Sequence, residues 1–241
     1  MEKQKVLITG ASKGIGKAIA GLLAPHYDLI LHASKPENLP PAGDGISHLC
    51  ADFSDPEELT GFCSRLKKEH GDRLYAVINN AGITLDKSLI FQPEKDIDTL
   101  LQVNLKAPIL ICKTAFKLFN VRKSGVIINL GSCVGQSGNA FQAVYSATKA
   151  GLAALSKSLA KEAGALNPDG HEIRILSISP GFIETGMTDA LPETVKGQYL
   201  NNIPSRRFGL AEDVAEAVLF LLSSKASFIN GSNIEINGGM L

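Results

Sequence analysis

Short runs of β-branched and aliphatic residues alternate along this chain with longer segments whose apolar positions recur at helical spacing. The first pattern marks strands buried on both faces, and the second marks amphipathic helices. Strands are predicted over 6–9, 29–32, 46–50, 75–79, 126–130, 174–179 and 233–236. Helices are predicted over 15–24, 57–68, 143–163 and 211–222, with two more helical stretches inside 94–119. Strands that alternate with helices connect by right-handed crossovers. The expected fold class is therefore α/β, a doubly wound parallel sheet of about seven strands with helices on both faces. No linker, repeat or low-complexity tract divides the sequence, so residues 1–241 are expected to form one domain.

Two segments break the alternation. Residues 34–44 (SKPENLPPAGD) hold three prolines, so the helix expected there should be missing or very short. Residues 182–207, after Pro180-Gly181, form a long irregular stretch that reads either as a lid or binding loop or as a plain surface loop. Residues 214–222 (VAEAVLFLL) are apolar enough to suggest an exposed face for self-association.

Charge narrows the function classes. Lys plus Arg and Asp plus Glu both number 24, so no net field would draw nucleic acid or an acidic membrane to the chain. The N-terminal segment lacks a signal-peptide pattern, and the apolar runs fall short of the ~20 residues a membrane helix needs. Cys50, Cys63, Cys112 and Cys133 are scattered, without metal-ligand spacing or a disulfide framework. No metal is expected, and a reducing cytoplasm is the expected location.

Immediately after the first predicted strand comes Gly10-Ala11-Ser12-Lys13-Gly14-Ile15-Gly16, which runs into a helix. Small residues let the backbone approach a diphosphate, and a helix N-terminus supplies unpaired N–H donors and partial positive charge. A glycine cluster between strand and helix can also be only a tight turn. The second strand ends His32-Ala33-Ser34-Lys35, and Asp28 stands at its start. An acid at the strand's end would repel a ribose 2′-phosphate. Ser34 could instead donate a hydrogen bond to one, with charge from Lys13 or Lys35. This favours NADP(H). Asp52-Phe53, after the third strand, stands where an adenine would lie, and Asn80-Ala81-Gly82, after the fourth, stands near the ribose.

Tyr145 and Lys149 form Y-S-A-T-K within a helix, a spacing that puts both side chains on one face. An ammonium beside a phenol favours the phenolate and lowers the tyrosine pKa from about 10 towards a useful range. Taken alone, the pair can equally be a buried tyrosine and a surface lysine. Ser132 follows the fifth strand, at the edge where α/β folds bind ligands, and could hydrogen-bond a carbonyl oxygen that Tyr145 protonates. Asn104 sits in a helical run that it could distort, and it could hold a water for proton relay to Lys149.

In their order and spacing, the glycine loop, residues 79–82, Asn104, Ser132, the Tyr145/Lys149 pair and Pro180-Gly181 resemble the short-chain dehydrogenase/reductase family. The similarity runs over essentially the whole chain. It implies a Rossmann-like fold, one dinucleotide-binding catalytic domain and a homotetramer. It also implies a catalytic tetrad of Asn104, Ser132, Tyr145 and Lys149, with Lys149 on the nicotinamide ribose. Gly10, Ser12, Lys13, Gly14, Ile15, Gly16, Ser34, Asp52, Phe53, Asn80, Ala81, Gly82, Tyr145, Lys149, Pro180 and Gly181 would bind the cofactor, with Ile183 and Thr185 near its nicotinamide end.

Within the family, residues 80–84 (NAGIT), 180–185 (PGFIET) and 237–240 (NGGM) look most like the 3-oxoacyl-[acyl-carrier-protein] reductases. The resemblance implies NADPH-dependent reduction of a 3-oxoacyl thioester, linked to an acyl carrier protein or to CoA, to the 3-hydroxyacyl thioester in fatty-acid or polyketide-type biosynthesis. The basic residue that this subgroup places before the fifth strand is here Val126, with Arg122 and Lys123 nearby, and residues 163–172 lack the expected arginine. A polyketide- or polyene-type thioester fits these departures. A dehydrogenase acting on a sugar, steroid or small alcohol would share the same tetrad, and a non-catalytic dinucleotide scaffold is the reading from another class.

Overall fold

In β1 (Lys5–Ile8), Val6 and Ile8 join one hydrophobic cluster and Leu7 joins another, and none of the three is reached by solvent. A strand alternates its side chains between two faces, so it is apolar throughout only where both faces are covered. The same division recurs in β2 (Asp28–Leu31), where Leu29 and Leu31 face the first cluster and Ile30 the second. The structure is a computed structural model that describes residues 3–184, 197 and 200–241.

The remaining strands are β3 (Ile46–His48), β4 (Leu74–Asn79), β5 (Ser124–Leu130), β6 (Glu172–Pro180) and β7 (Asn233–Ile236). All neighbours pair in parallel, in the order β3-β2-β1-β4-β5-β6-β7. The expected α/β doubly wound sheet of seven strands is what the chain forms. The order reverses between β1 and β4. Adjacent crossovers there leave on opposite faces and open a crevice at the carboxyl ends of the strands.

Helices α1 (Gly14–Leu23) and α7 (Ala211–Leu222) cover one face of the sheet. Helices α2 (Pro56–His70), α4 (Ala107–Arg122) and α6 (Ala143–Leu166) cover the other. Short helices α3 (Glu94–Leu101) and α5 (Val134–Ser137) complete the described set. Helix α2 begins cleanly because Asp55 accepts from the N–H groups of Glu57 and Glu58 ahead of Pro56.

Two expected irregularities are present, and one expectation fails. The proline-rich segment keeps a single 3-10 turn, Pro36–Asn38, in place of a helix. Between α3 and α4 the chain widens into a π turn, Gln102–Lys106, that includes Asn104. The apolar face of α7 is not exposed. Val214, Ala215, Val218, Leu221 and Leu222 are buried against α1 and the sheet, because a crossover helix must spend that face on the core. Arg174, buried in β6, donates to the carbonyls of Leu221, Leu222, Ser223 and Ala226 and so satisfies the end of α7. Among the described residues no helix is long and apolar enough to cross a membrane.

Candidate active site

Gly10 and Asn80 follow the two strands that flank the reversal, β1 and β4. The Asn80 side-chain amide donates to the carbonyls of Thr9 and Gly10, both at 3.0 Å. The Thr9 hydroxyl accepts from the N–H groups of Asn80 and Ala81, also at 3.0 Å. The asparagine expected near a ribose is therefore a brace for the glycine loop. A Cβ on Gly16 would come within 2.2 Å of the Gly10 carbonyl oxygen, so the loop can fold back on the helix only with glycine there.

The N-terminus of α1 has no side-chain cap and no acid in its first turn. Those N–H groups point out of the loop without a protein side chain to receive them, and this donor set fits a dinucleotide diphosphate. Ser12, Gly14 and Ile15 are partly exposed there, and Lys13 is exposed. Ser34 and Lys35 are exposed beyond β2, whereas Asp28 is held by the Arg73 guanidinium at 3.3 Å. Glu37 lies further along, in the 3-10 turn.

Past β3, Asp52 is exposed and accepts from the N–H and hydroxyl of Ser54 at 2.9 and 2.7 Å. Phe53 does not offer its ring to a purine. It is buried and stacked on His32, with ring centres 3.9 Å apart. On the far side of the crevice, Pro180 and Gly181 end β6, and Ile183 is buried in the core beneath them. Thr185 lies outside the described residues.

The reacting groups converge at the end of β5. Ser132 lies just past the strand, where its hydroxyl favours the ionised form of the Tyr145 phenol. Lys149 Nζ sits 5.7 Å from the centre of the tyrosine ring and donates to the carbonyl of Leu130 at 2.8 Å. Gly82 comes close from β4, where an added Cβ would stand 3.3 Å from Asn104 Oδ1 and 3.4 Å from Lys149 Nζ. Asn104 is fully buried, and its side chain both accepts from the Ile83 N–H at 2.9 Å and donates to the Ile83 carbonyl at 2.8 Å. The expected distortion of the helix is present as the π turn. The side-chain amide is committed to Ile83, so a water held by Asn104 would have to use its backbone.

The electrostatics differ from the sequence expectation. Burial drives the Tyr145 phenol up to about 12, the Ser132 hydroxyl opposes this, and Cys133 and Asp86 add to the rise. Burial also lowers the Lys149 ammonium to about 8. The desolvation of the phenol thus outweighs the groups that favour its ionised form.

Sequence reasoning missed His32 and Thr9, both of which hold the glycine loop. A polar residue at each strand's end was the available signal. On the carrier side, Val126 is buried inside β5, and Arg122 is tied to the carbonyls of Asp72 and Leu74 at the amino edge of the sheet, away from Tyr145.

A family model described as enoyl-(acyl carrier protein) reductase matches residues 10–241. The 3-oxoacyl-[acyl-carrier-protein] reductase of Escherichia coli is 35% identical over 244 residues, covering 99% of this chain and 98% of its own. That of Rickettsia conorii is 40% identical over 240 residues, covering 98% and 95%. That of Haemophilus influenzae is 35% identical over 245 residues, covering 100% and 99%.

Proposed function

The chain belongs to the short-chain dehydrogenase/reductase family, and from that premise we propose that it reduces a 3-oxoacyl thioester to the 3-hydroxyacyl thioester with NADPH. The single observation that carries this reading is the Lys149 amine 5.7 Å from the centre of the Tyr145 ring on one face of α6, beside Ser132 at the end of β5. Three relatives of nearly equal length bear the name of that activity.

A reduced nicotinamide cofactor, when bound, supplies the hydride. The chain supplies the rest. Ser132 orients the carbonyl oxygen of the substrate by a hydrogen bond, and Tyr145 gives that oxygen its proton. The Lys149 charge stabilises the phenolate that remains, and Asn104 sets the π turn that closes the pocket beside it. The N-terminus of α1 would hold the diphosphate, with Ser12, Lys13, Gly14 and Ile15 around it. Ser34 with Lys35 would hold a 2′-phosphate, which is the ground for choosing NADPH over NADH. Asp52 would edge the adenine, and Ala81, Gly82, Pro180, Gly181 and Thr185 would edge the ribose and nicotinamide.

The acyl group arrives on a carrier protein, the chain works in the cytoplasm within fatty-acid or polyketide-type synthesis, and it assembles as a homotetramer. Exposed Phe220 and Phe228 are compatible with such self-association.

The test is to follow NADPH consumption by the purified chain. The substrates are acetoacetyl thioesters of carrier protein and of coenzyme A, a crotonyl thioester, simple ketones and sugars. Turnover of the 3-oxoacyl thioesters, with the crotonyl double bond left intact, is the expected result. Turnover confined to free ketones or sugars would select the alcohol-dehydrogenase reading. Crotonyl reduction would select the enoyl activity, and tight NADPH binding without any turnover would point to a scaffold.

A further inference from the structure

Two backbone segments meet on the ring of His32, which lies just beyond β2 and is 4% exposed. The Gly10 N–H donates to its Nδ1 at 3.1 Å. A backbone N–H can only donate, so Nδ1 carries no proton, and the neutral ring keeps its proton on Nε2. That nitrogen donates to the carbonyl of Ala51 at 3.0 Å. The histidine's own carbonyl accepts from the Ala11 N–H at 2.8 Å. Phe53 stacks on the ring at an interplanar angle of 6°, and Phe62 meets it edge-on at 5.2 Å. Burial pushes the imidazole down to about 4, with Asp52 and the Ala51 bond opposing the shift, so the ring stays neutral at ordinary pH.

An apolar ring of similar size would fill this space and stack on Phe53 equally well. It would also remove the partner of the Gly10 N–H and the donor to Ala51. What the imidazole adds is this pair of bonds, and each falls on a segment that the cofactor reading uses. Gly10 opens the loop ahead of α1, Ala51 precedes Asp52, and Ser34 follows two residues beyond the histidine. The loops after β1, β2 and β3 are therefore pinned through one side chain.

We infer that His32 is a positioning residue for dinucleotide binding, holding the backbone of Gly10, and with it the uncapped N-terminus of α1, in the geometry that receives the diphosphate. The inference rests on the reading of the glycine loop as a dinucleotide site, and its test needs no thioester turnover.

Asparagine at position 32 can place Oδ1 near the site of Nδ1 and accept from Gly10, while giving up the Ala51 bond. Glutamine can place its amide near Nε2 and donate to Ala51, while giving up the Gly10 bond. Wild type, His32→Asn and His32→Gln are titrated with NADPH and with NADH by nicotinamide fluorescence. The Asn variant should bind within about threefold of wild type, and the Gln variant about tenfold more weakly, the cost of one lost hydrogen bond on the loop. The diphosphate is common to both cofactors, so the weakening should be equal for the two. Should the Gln variant fail to fold, His32→Phe, which keeps the stack on Phe53, carries the same comparison with Asn. Equal affinities for the Asn and Gln variants, or a loss confined to NADPH, would overturn the inference. A wild-type chain that binds neither cofactor would remove the cofactor reading itself.

Discussion

Lys149 and Tyr145 share one face of α6 with the amine 5.7 Å from the centre of the phenol ring, yet the amine's hydrogen bond goes to the Leu130 carbonyl. The end of β5 thus places the lysine. Burial then moves the two groups in opposite senses, the amine down to about 8 and the phenol up to about 12. A phenol that keeps its proton through the neutral range is prepared to donate to a carbonyl. A protonated phenol is the form that reduction requires.

Removing that proton is the first prediction. Tyr145→Phe should lower the turnover of acetoacetyl thioester by about a thousandfold, in the range of a lost general acid, and Ser132→Ala should cost somewhat less. NADPH affinity, read by fluorescence, should stay close to wild type in both. A Phe variant that retains a tenth of wild-type turnover would show that another group protonates the substrate.

The second prediction concerns pH. The Lys149 amine is charged below about 8 and loses its charge above it, where an ordinary lysine would still be protonated. Reductive kcat/KM should be level on the acid side and fall through that midpoint as the charge facing the phenolate is lost. Lys149→Met should remove this alkaline limb together with most of the activity. A wild-type profile that runs flat well past the midpoint would contradict the assignment.

Cofactor choice gives the third. Ser34 is exposed beyond β2, and Asp28, the acid at the start of that strand, is held by Arg73. Ser34→Asp should weaken NADPH binding by about tenfold or more through repulsion of the 2′-phosphate, and leave NADH binding unchanged or improved. Equal effects on both cofactors would place the 2′-phosphate elsewhere.

A fourth prediction concerns stability. Phe141 has φ +67°, a left-handed conformation that a bulky side chain adopts only under strain, and its ring is 64% exposed. Its carbonyl accepts from the Lys87 N–H at 2.9 Å, and Gln142 beside it donates to Asp86, which together keep the backbone in place. Phe141→Gly should relieve the strain and raise stability by up to about 1 kcal/mol, roughly 2 °C in Tm for a chain of this size. A lower Tm would mean that the ring is covered in the assembled protein.

The alternation of apolar runs and amphipathic stretches was sufficient for the sheet. The central strands had to be apolar on both faces, and the run of aliphatic residues records that directly. Residues 34–44 were also legible, because proline removes the donors a helix needs whatever surrounds it. Motif spacing placed Tyr145 and Lys149 on one face, because four residues make about one helical turn. The same reasoning could not follow contacts between segments remote in sequence. It could not show that the Phe53 ring stacks on His32, or that the Asn80 amide donates to the carbonyls of Thr9 and Gly10.

Residue order and period therefore settle which elements form and which chemical groups stand at their ends, since both depend on local geometry that repeats along a chain. Tertiary structure alone decided the charge state of those groups. The dryness around Tyr145, the direction of the Lys149 amine and the tautomer of His32 each depend on atoms supplied by a different strand. Burial and hydrogen-bond partners are properties of the packed whole, and neither is written at any single position of the sequence.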